Sequence, residues 1–351
     1  MALDDERVVA AVLATKPTLT SRKLSHLLDK QLPSAVAATL GSNQPTLQEC
    51  ERMAQRLELT AMSVTHVGAP DFPCMLQDDP TRSPVLFYRG NLAALNQRRV
   101  GIVGTRSATA AGRYMASHIS FDLAEQGIST VSGLARGIDA WAHKGVSVAY
   151  SRASDRSRLG IPIGVVASGL DVVYPKENIE LWNFISEHGL LLSESPPGTS
   201  PEPYRFPLRN RVLAALSEVV VVVESRATGG SMITVEEAQK RDITVMAVPG
   251  SPRNTSSAGT NLLLQQGCAP VVSVDDVLVA LGLDTRRVHP PLFDDRNSLE
   301  PDDAALAVAM AGDALTLDQL VLLLTMQLMI VGLPHTKHLP VLLVLQLFGP
   351  C

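Results

Sequence analysis

The sequence predicts an α/β protein built on a doubly wound, mostly parallel sheet, and three observations carry that reading. From Arg99 onward, short apolar runs alternate with Gly-rich turns and helical stretches. The runs are nearly continuous in Val, Ile and Leu, which marks strands covered by helices on both faces. The alternation holds over about 180 residues, as repeated βα units require.

Each element has its own signal. Residues 1–65 read as a small helical module, with Val8, Val9, Val12 and Leu13 on one apolar face and Leu24, Leu27 and Leu28 on another; Thr20-Ser21 supplies the N-cap between them. Residues 66–98 read as a Pro-rich connector (Pro70, Pro73, Pro80, Pro84) with a short strand at Val85–Tyr88. The main domain spans 99–281, with strands at Val100–Gly104, Ile128–Ser132, Ile161–Ala167, Leu190–Leu192, Val219–Glu224, Ile243–Val248 and Pro270–Val272. Its first helix carries Ala111, Met115, Ile119 and Leu123 as one stripe against the sheet. Residues 282–302 have the composition of a linker, and 303–351 read as a short helical tail with Lys337 as the one Lys or Arg after Asp318.

Composition narrows the function. A length of 351 residues holds one large α/β domain with small appendages. The net charge of −5 means that a polyanion would have to meet a local patch, and 4% aromatic residues weakens any scheme in which many bases stack on rings. Cys50, Cys74, Cys268 and Cys351 are far apart, which fits reduced thiols rather than disulfides or zinc. The acidic start lacks the plan of a signal peptide, and Leu320–Leu333 is shorter than the ~18–20 residues of a spanning helix. The expectation is a soluble, cytoplasmic protein with no membrane contact, no metal and no cofactor.

The chemistry sits in the turns. Gly101-Ile-Val-Gly104-Thr-Arg106-Ser107 lies where a dinucleotide fingerprint would, but lacks the GxGxxG spacing, and the next strand ends in Ser132-Gly133 with no acid for a ribose. It leaves a helix N-terminus with hydroxyls and the cation Arg106, whose alternative role is an ion pair with Asp139. Ser132 and Gly133 open a second such turn, where Asp139 and His143, four apart, allow the carboxylate to orient the imidazole. Lys176 follows Tyr174-Pro175 and points above the carboxyl edge of the sheet. Gly229, Gly230 and Ser231 end the Val219–Glu224 strand and start a helix, a seat for phosphate. Arg209-Asn210-Arg211 puts two guanidinium groups on opposite sides of a helical turn. One is expected to meet an anion while the other pins Glu194, Glu224 or a second subunit. No GxxxxGK[ST], GxSxG or HExxH pattern occurs.

Together, Val103-Gly-Thr-Arg106-x-x-Thr109, Ser132-Gly-x-Ala-Arg-Gly-Ile-Asp139-x-x-Ala-His143, Gly169-Leu-Asp-x-x-Tyr174-Pro175, Ser193-Glu194, Phe206-Pro-x-Arg-Asn-Arg211, Gly230-Ser-x-x-Thr234 and Val248-Pro-Gly-Ser251 resemble the DNA processing protein A family, DprA or Smf, over roughly 66–281. The resemblance implies an extended Rossmann-like domain that binds single-stranded DNA, dimerises, shields incoming strands in natural transformation and helps load the RecA recombinase, acting as a binding mediator and not an enzyme. Carried over by motif, its pocket would use Arg106, Ser132, Gly133, Lys176, Arg209, Asn210, Arg211, Gly230 and Ser231. The helical front module also looks like the family's. Three departures stand out: an insertion at Ser151–Gly160 carrying Arg152, Arg156 and Arg158, an extra glycine in Thr228-Gly-Gly, and a tail that matches the family's winged helix only around Leu315–Leu322.

A competing reading comes from Gly229-Gly-Ser-Met-Ile-Thr-Val-Glu236-Glu237. It loosely resembles the PGGxGTxxE loop of nucleoside-monophosphate phosphoribohydrolases, in which Glu236 would act on an N-glycosidic bond.

Overall fold

The computed structural model describes residues 5–283, so the expected tail and most of the expected linker lie outside the described residues. Four helices come first: α1 Glu6–Leu13, α2 Ser21–Leu28, α3 Pro33–Ala38 and α4 Leu47–Leu59. Thr20 caps α2, as the sequence indicates, and Thr46 with Glu49 forms a capping box on α4. Lys16 donates to Glu49 at 2.7 Å; that bond and the Thr46 N–H hold the Glu49 carboxyl at about 2.

The sheet has nine strands: β1 Ser63–His66, β2 Val85–Gly90, β3 Arg99–Val103, β4 Ser129–Ser132, β5 Pro162–Val166, β6 Leu190–Ser193, β7 Val219–Val222, β8 Thr244–Ala247 and β9 Ala269–Pro270, in the order β1-β2-β6-β5-β4-β3-β7-β8-β9. From β6 to β9 the pairing is parallel, while β1–β2 and β2–β6 are antiparallel. The stretch read as a connector therefore supplies β2 and the end of β1. Its prolines fall in the turns between strands, where the missing N–H does no harm.

The chain moves outward from β3 through β4 and β5 to β6, then jumps across β3 to β7 and moves the other way. Neighbouring strands β3 and β7 therefore send their connections in opposite directions, which opens a crevice at their carboxyl ends. The intervening helices are α5 Cys74–Gln77, α6 Ala110–Glu125, α7 Ile138–Arg152, α8 Ile179–His188, α9 Arg205–Leu216, α10 Gly230–Gln239, α11 Ala258–Gln265 and α12 Val274–Ala280.

Both faces of the sheet are covered, as continuous apolar strands require. Val219 and Val221 of β7 pack with Ile119 and Leu123 of α6 and Val277 of α12. Val220 and Val222 pack on the other face with Leu213 and Leu216 of α9 and Val235 of α10. The α1 residues Val8, Val9, Val12 and Leu13 belong to this second core, so the front helices share it. Each fully buried Val or Leu contributes about 1.5–3 kcal/mol. One detail differs from the sequence reading. The buried stripe of α6 runs through Gly112, Ala116, Ile119 and Leu123, and Ala111 is exposed, because Gly112 must face inward against the Glu224 carboxyl.

Candidate nucleic-acid interface

A groove of about 630 Å³ occupies the crevice between β3 and β7. Its walls come from the turn after β3 (Gly104 to Ser107), the start of α9 (Phe206, Arg209, Asn210) and the turn after β7 (Arg226, Gly229 to Ser231). Asp139 is its one lining carboxylate, and that residue is 7% exposed. Above the floor the lining charge is therefore cationic.

The two helix starts at this crevice are not equivalent. At α6, the Glu224 carboxylate accepts from the Thr109 N–H at 2.9 Å and from its hydroxyl, while the Thr109 hydroxyl accepts from Gly112 N–H at 3.1 Å. A Cβ at Gly112 would lie 2.4 Å from Glu224 Oε2, so the carboxylate fills the space before the helix. That seat is taken from inside, which corrects the expectation of a free phosphate site after β3. At α10 no side chain caps the helix; Gly229 is the N-cap, and a Cβ at Gly230 would meet nothing within 4 Å. The amide-rich end of α10 is thus open to the groove, with the favourable end of its dipole outward.

The arginines sort just as sharply. Arg106 is exposed and lies with its guanidinium 5.0 Å from the Phe206 ring centroid; it makes no ion pair with Asp139. Phe206 in turn packs on Tyr174 at 5.7 Å. Arg209 is 6% exposed and donates through Nη1 to Gly133 O at 2.6 Å and to Val165 O, while its Nε donates to Asn210 Oδ1 at 3.1 Å. Burial depresses its pKa, against the pull of Asp139. Gly133 has no room for a side chain because a Cβ would lie 2.2 Å from that guanidinium. Arg211 pairs with Glu194 and donates to Thr81 O; of the partners considered from sequence, Glu194 is the one it meets. Burial raises the Glu194 carboxyl, and Arg211 opposes that rise. Against the expectation that one of these two arginines is left for an anion, both guanidinium groups have internal partners, Arg209 the Gly133 and Val165 carbonyls and Arg211 Glu194, while Arg209 also lines the groove.

The remaining residues divide the same way. Ser132 is fully buried and its hydroxyl donates to Ile102 O at 2.6 Å, so it pins two strand ends together and does not face the groove. Ser231 is buried and donates to Ser225 Oγ at 2.8 Å. Gly104 lines the groove and allows close packing, since a Cβ there would come 2.5 Å from Ile138. Ser107 and Asn210 line the groove, and the Asn210 amide lies 3.5 Å from Gly230 O. Lys176 is exposed on the next turn, one residue past Pro175, which lines an adjoining cavity of about 40 Å³.

Asp139 does not orient His143. Its carboxyl faces Arg209 and Arg106 and is raised by burial, whereas both nitrogens of the buried His143 ring lack a hydrogen-bond partner among the described residues. Burial pushes the imidazole down to about 4, with only the nearby Ser132 main chain opposing. Glu236 is exposed on the seventh residue of α10 and lines none of the groove. At 1.5 Å per residue it stands about 9 Å along the helix from Gly230.

Sequence reasoning missed Arg226. It is exposed, lines the groove and stands three residues before Gly229. Its signal was legible as a lone cation between a strand end and a Gly-Gly turn. Few as they are, aromatics gather at this edge: Tyr174 packs on Phe206, and Tyr204 is 59% exposed beside Arg205.

The topology and crevice define a Rossmann-like α/β protein with an uncapped helix start at the strand switch and no dinucleotide fingerprint. Comparison with known proteins gives the family. The model of the DNA recombination-mediator protein A family matches residues 63–282. DNA processing protein DprA of Bacillus subtilis is 37% identical over 216 residues, covering 61% of this chain and 70% of that protein. Protein Smf of Synechocystis is 38% identical over 217 residues, 61% of this chain and 52% of that one. Among solved structures, DNA processing protein A of Streptococcus pneumoniae superposes with a TM-score of 0.62 at 30% identity over 78% of this chain and 92% of its own. The Helicobacter pylori protein, whose structure concerns its single-stranded DNA binding mode, superposes with a TM-score of 0.54 at 27% identity over 64% of this chain and 96% of its own. This chain belongs to the DNA recombination-mediator protein A (DprA/Smf) family.

Proposed function

We propose that this chain binds single-stranded DNA through its phosphates at the carboxyl edge of the sheet, and that it serves DNA processing and recombination as a binding mediator rather than an enzyme. The observation that carries the reading is the uncapped start of α10 opening into a groove with Arg106 and Arg226 on its walls and its one carboxylate buried. Amides and guanidinium groups grip phosphate regardless of base, so binding should tolerate any sequence. The exposed Tyr174 and Tyr204 offer stacking to unpaired bases, which a duplex hides. Family membership and the DNA-binding H. pylori relative support the finer reading as well. In it the chain acts in the cytoplasm as a homodimer, protects incoming strands in natural transformation and helps load RecA.

The phosphoribohydrolase alternative is not favoured, since Glu236 lines none of the groove in which its substrate would lie. A titration of labelled oligo-dT and of duplex at about 50 and about 200 mM salt tests the proposal. Tight single-strand binding that weakens steeply with salt, with duplex weaker, is expected. Equal affinity for duplex would remove the strand selectivity, and salt-independent binding would remove the phosphate grip. Release of base from AMP, lost on Glu236→Gln, would restore the alternative.

A further inference from the structure

Helix α9 is a wall with a groove on each side. The second groove, of about 1170 Å³, opens at the same carboxyl edge between α9, the 194–199 turn, the 78–85 loop and the start of α2. Its walls are fixed. Arg82 pairs with Asp29 at 3.0 Å and donates to Ser25 Oγ at 3.0 Å, clamping α2 onto the loop, and Arg241 holds Asp79 at 2.6 Å. Arg211 and Glu194 close its floor.

Those pairs use most of the charge, and what is left over is cationic. Arg22 is exposed and makes no ion pair among the described residues. Arg205 donates through Nη1 to Ser195 Oγ at 3.2 Å, but its Nε is buried with no partner. A buried guanidinium N–H without an acceptor is costly unless a ligand supplies one. Asp78 is the one lining acid that makes no ion pair among the described residues. The second groove also continues the first. Arg209 lines both, and the cavity of about 40 Å³ shares Phe206 with the first and Val166 with the second. On the crest between them, the Arg205 guanidinium lies 5.2 Å from the Tyr204 ring centroid.

We propose that this groove is a second stretch of the strand path. A single strand seated by phosphate at α10 crosses the start of α9 at Tyr204 and lays its following phosphates beside Arg205 and Arg22. The inference rests on the proposed function, and the test separates the two. The full chain is titrated with oligo-dT of about six and about twenty nucleotides, spanning the length range of single-strand modules. Arg22→Ala and Arg205→Ala are expected to leave the short oligomer unchanged and to weaken the long one roughly five- to tenfold. Each lost phosphate contact should lower the slope of log affinity against log salt by about 0.7 for the long oligomer only. Arg22→Lys should restore most of the loss, which a folding defect would not allow. If both alanine variants bind the long oligomer like the parent, or lose both oligomers alike, the second stretch is wrong. Arg106→Ala serves the underlying reading and should weaken both lengths; failure of the parent to bind either oligomer would sink that reading instead.

Discussion

The two edges of the sheet both carry arginines and place them differently. At the amino edge, where the helices end, arginines cap main-chain carbonyls. Arg99 donates to Leu216 O at 2.8 Å, Arg156 to Tyr150 O at 3.0 Å, and Arg98 to Leu281 O and Glu218. Each meets the negative end of a helix, at the C-terminus of α9, α7 or α12. At the carboxyl edge the helices begin, and their positive ends cannot be capped by cations. Arg106 and Arg226 there make no ion pair among the described residues and line the groove beside the open start of α10. On the proposed reading, what suits an arginine to phosphate is its place beside a helix start rather than a helix end. The Ser151–Gly160 insertion illustrates the point, since it joins the end of α7 to the start of β5 and so lies at the amino edge, away from the groove.

The sharpest way to break this comparison is within the carboxyl edge, where Arg209 behaves like an amino-edge arginine. Arg209→Ala strips two strand-end carbonyls of their donor and leaves Asp139 without its charge partner, and should destabilise the fold by about 3 kcal/mol or more in urea unfolding. A loss of DNA affinity with unchanged stability would instead make Arg209 a direct contact.

The next effect concerns the floor of the same edge. His143 titrates at about 4 in the folded protein against 6.5 in an open chain, so on acidification the unfolded state takes up the proton first. The stability is complete above about pH 6.5 and falls by roughly 3 kcal/mol as pH drops toward 4. His143→Gln should flatten that part of the unfolding profile, and a slope identical to the parent's would show that the ring is charged or solvated.

Smaller effects belong to the surface. Arg106→Ala and Arg226→Ala should each weaken single-strand binding about tenfold, as loss of one charged hydrogen bond does, alike for all sequences. Arg156→Ala and Arg158→Ala at the other edge should each leave affinity within about twofold; Arg156→Ala should cost about 0.5–1.5 kcal/mol of stability, since it removes the donor to Tyr150 O, and Arg158→Ala no more than about 0.5 kcal/mol.

Much of this layout was readable because strands such as Val219–Val222 are uninterrupted valine and their turns are glycine-rich. Strand β1 was not, since Ser63-Val-Thr-His66 is only four residues long, follows directly on helical sequence and is ordered by pairing with β2. In the site, the open seat at α10 was legible from Gly229-Gly230. The fate of each arginine was not, because it depends on partners far along the chain; Gly133 O lies 76 residues from Arg209. The closure of α6 by Glu224, 115 residues from Thr109, is hidden for the same reason.

Salt-dependent titration of oligo-dT against three proteins, the parent, Arg106→Ala with Arg226→Ala, and Arg156→Ala with Arg158→Ala, addresses the contrast between edges directly. The expected result is a slope lowered by about 1.4 in the carboxyl-edge double variant, two contacts at about 0.7 each, and unchanged in the other. Equal losses at both edges, or a loss confined to the amino edge, would contradict the account.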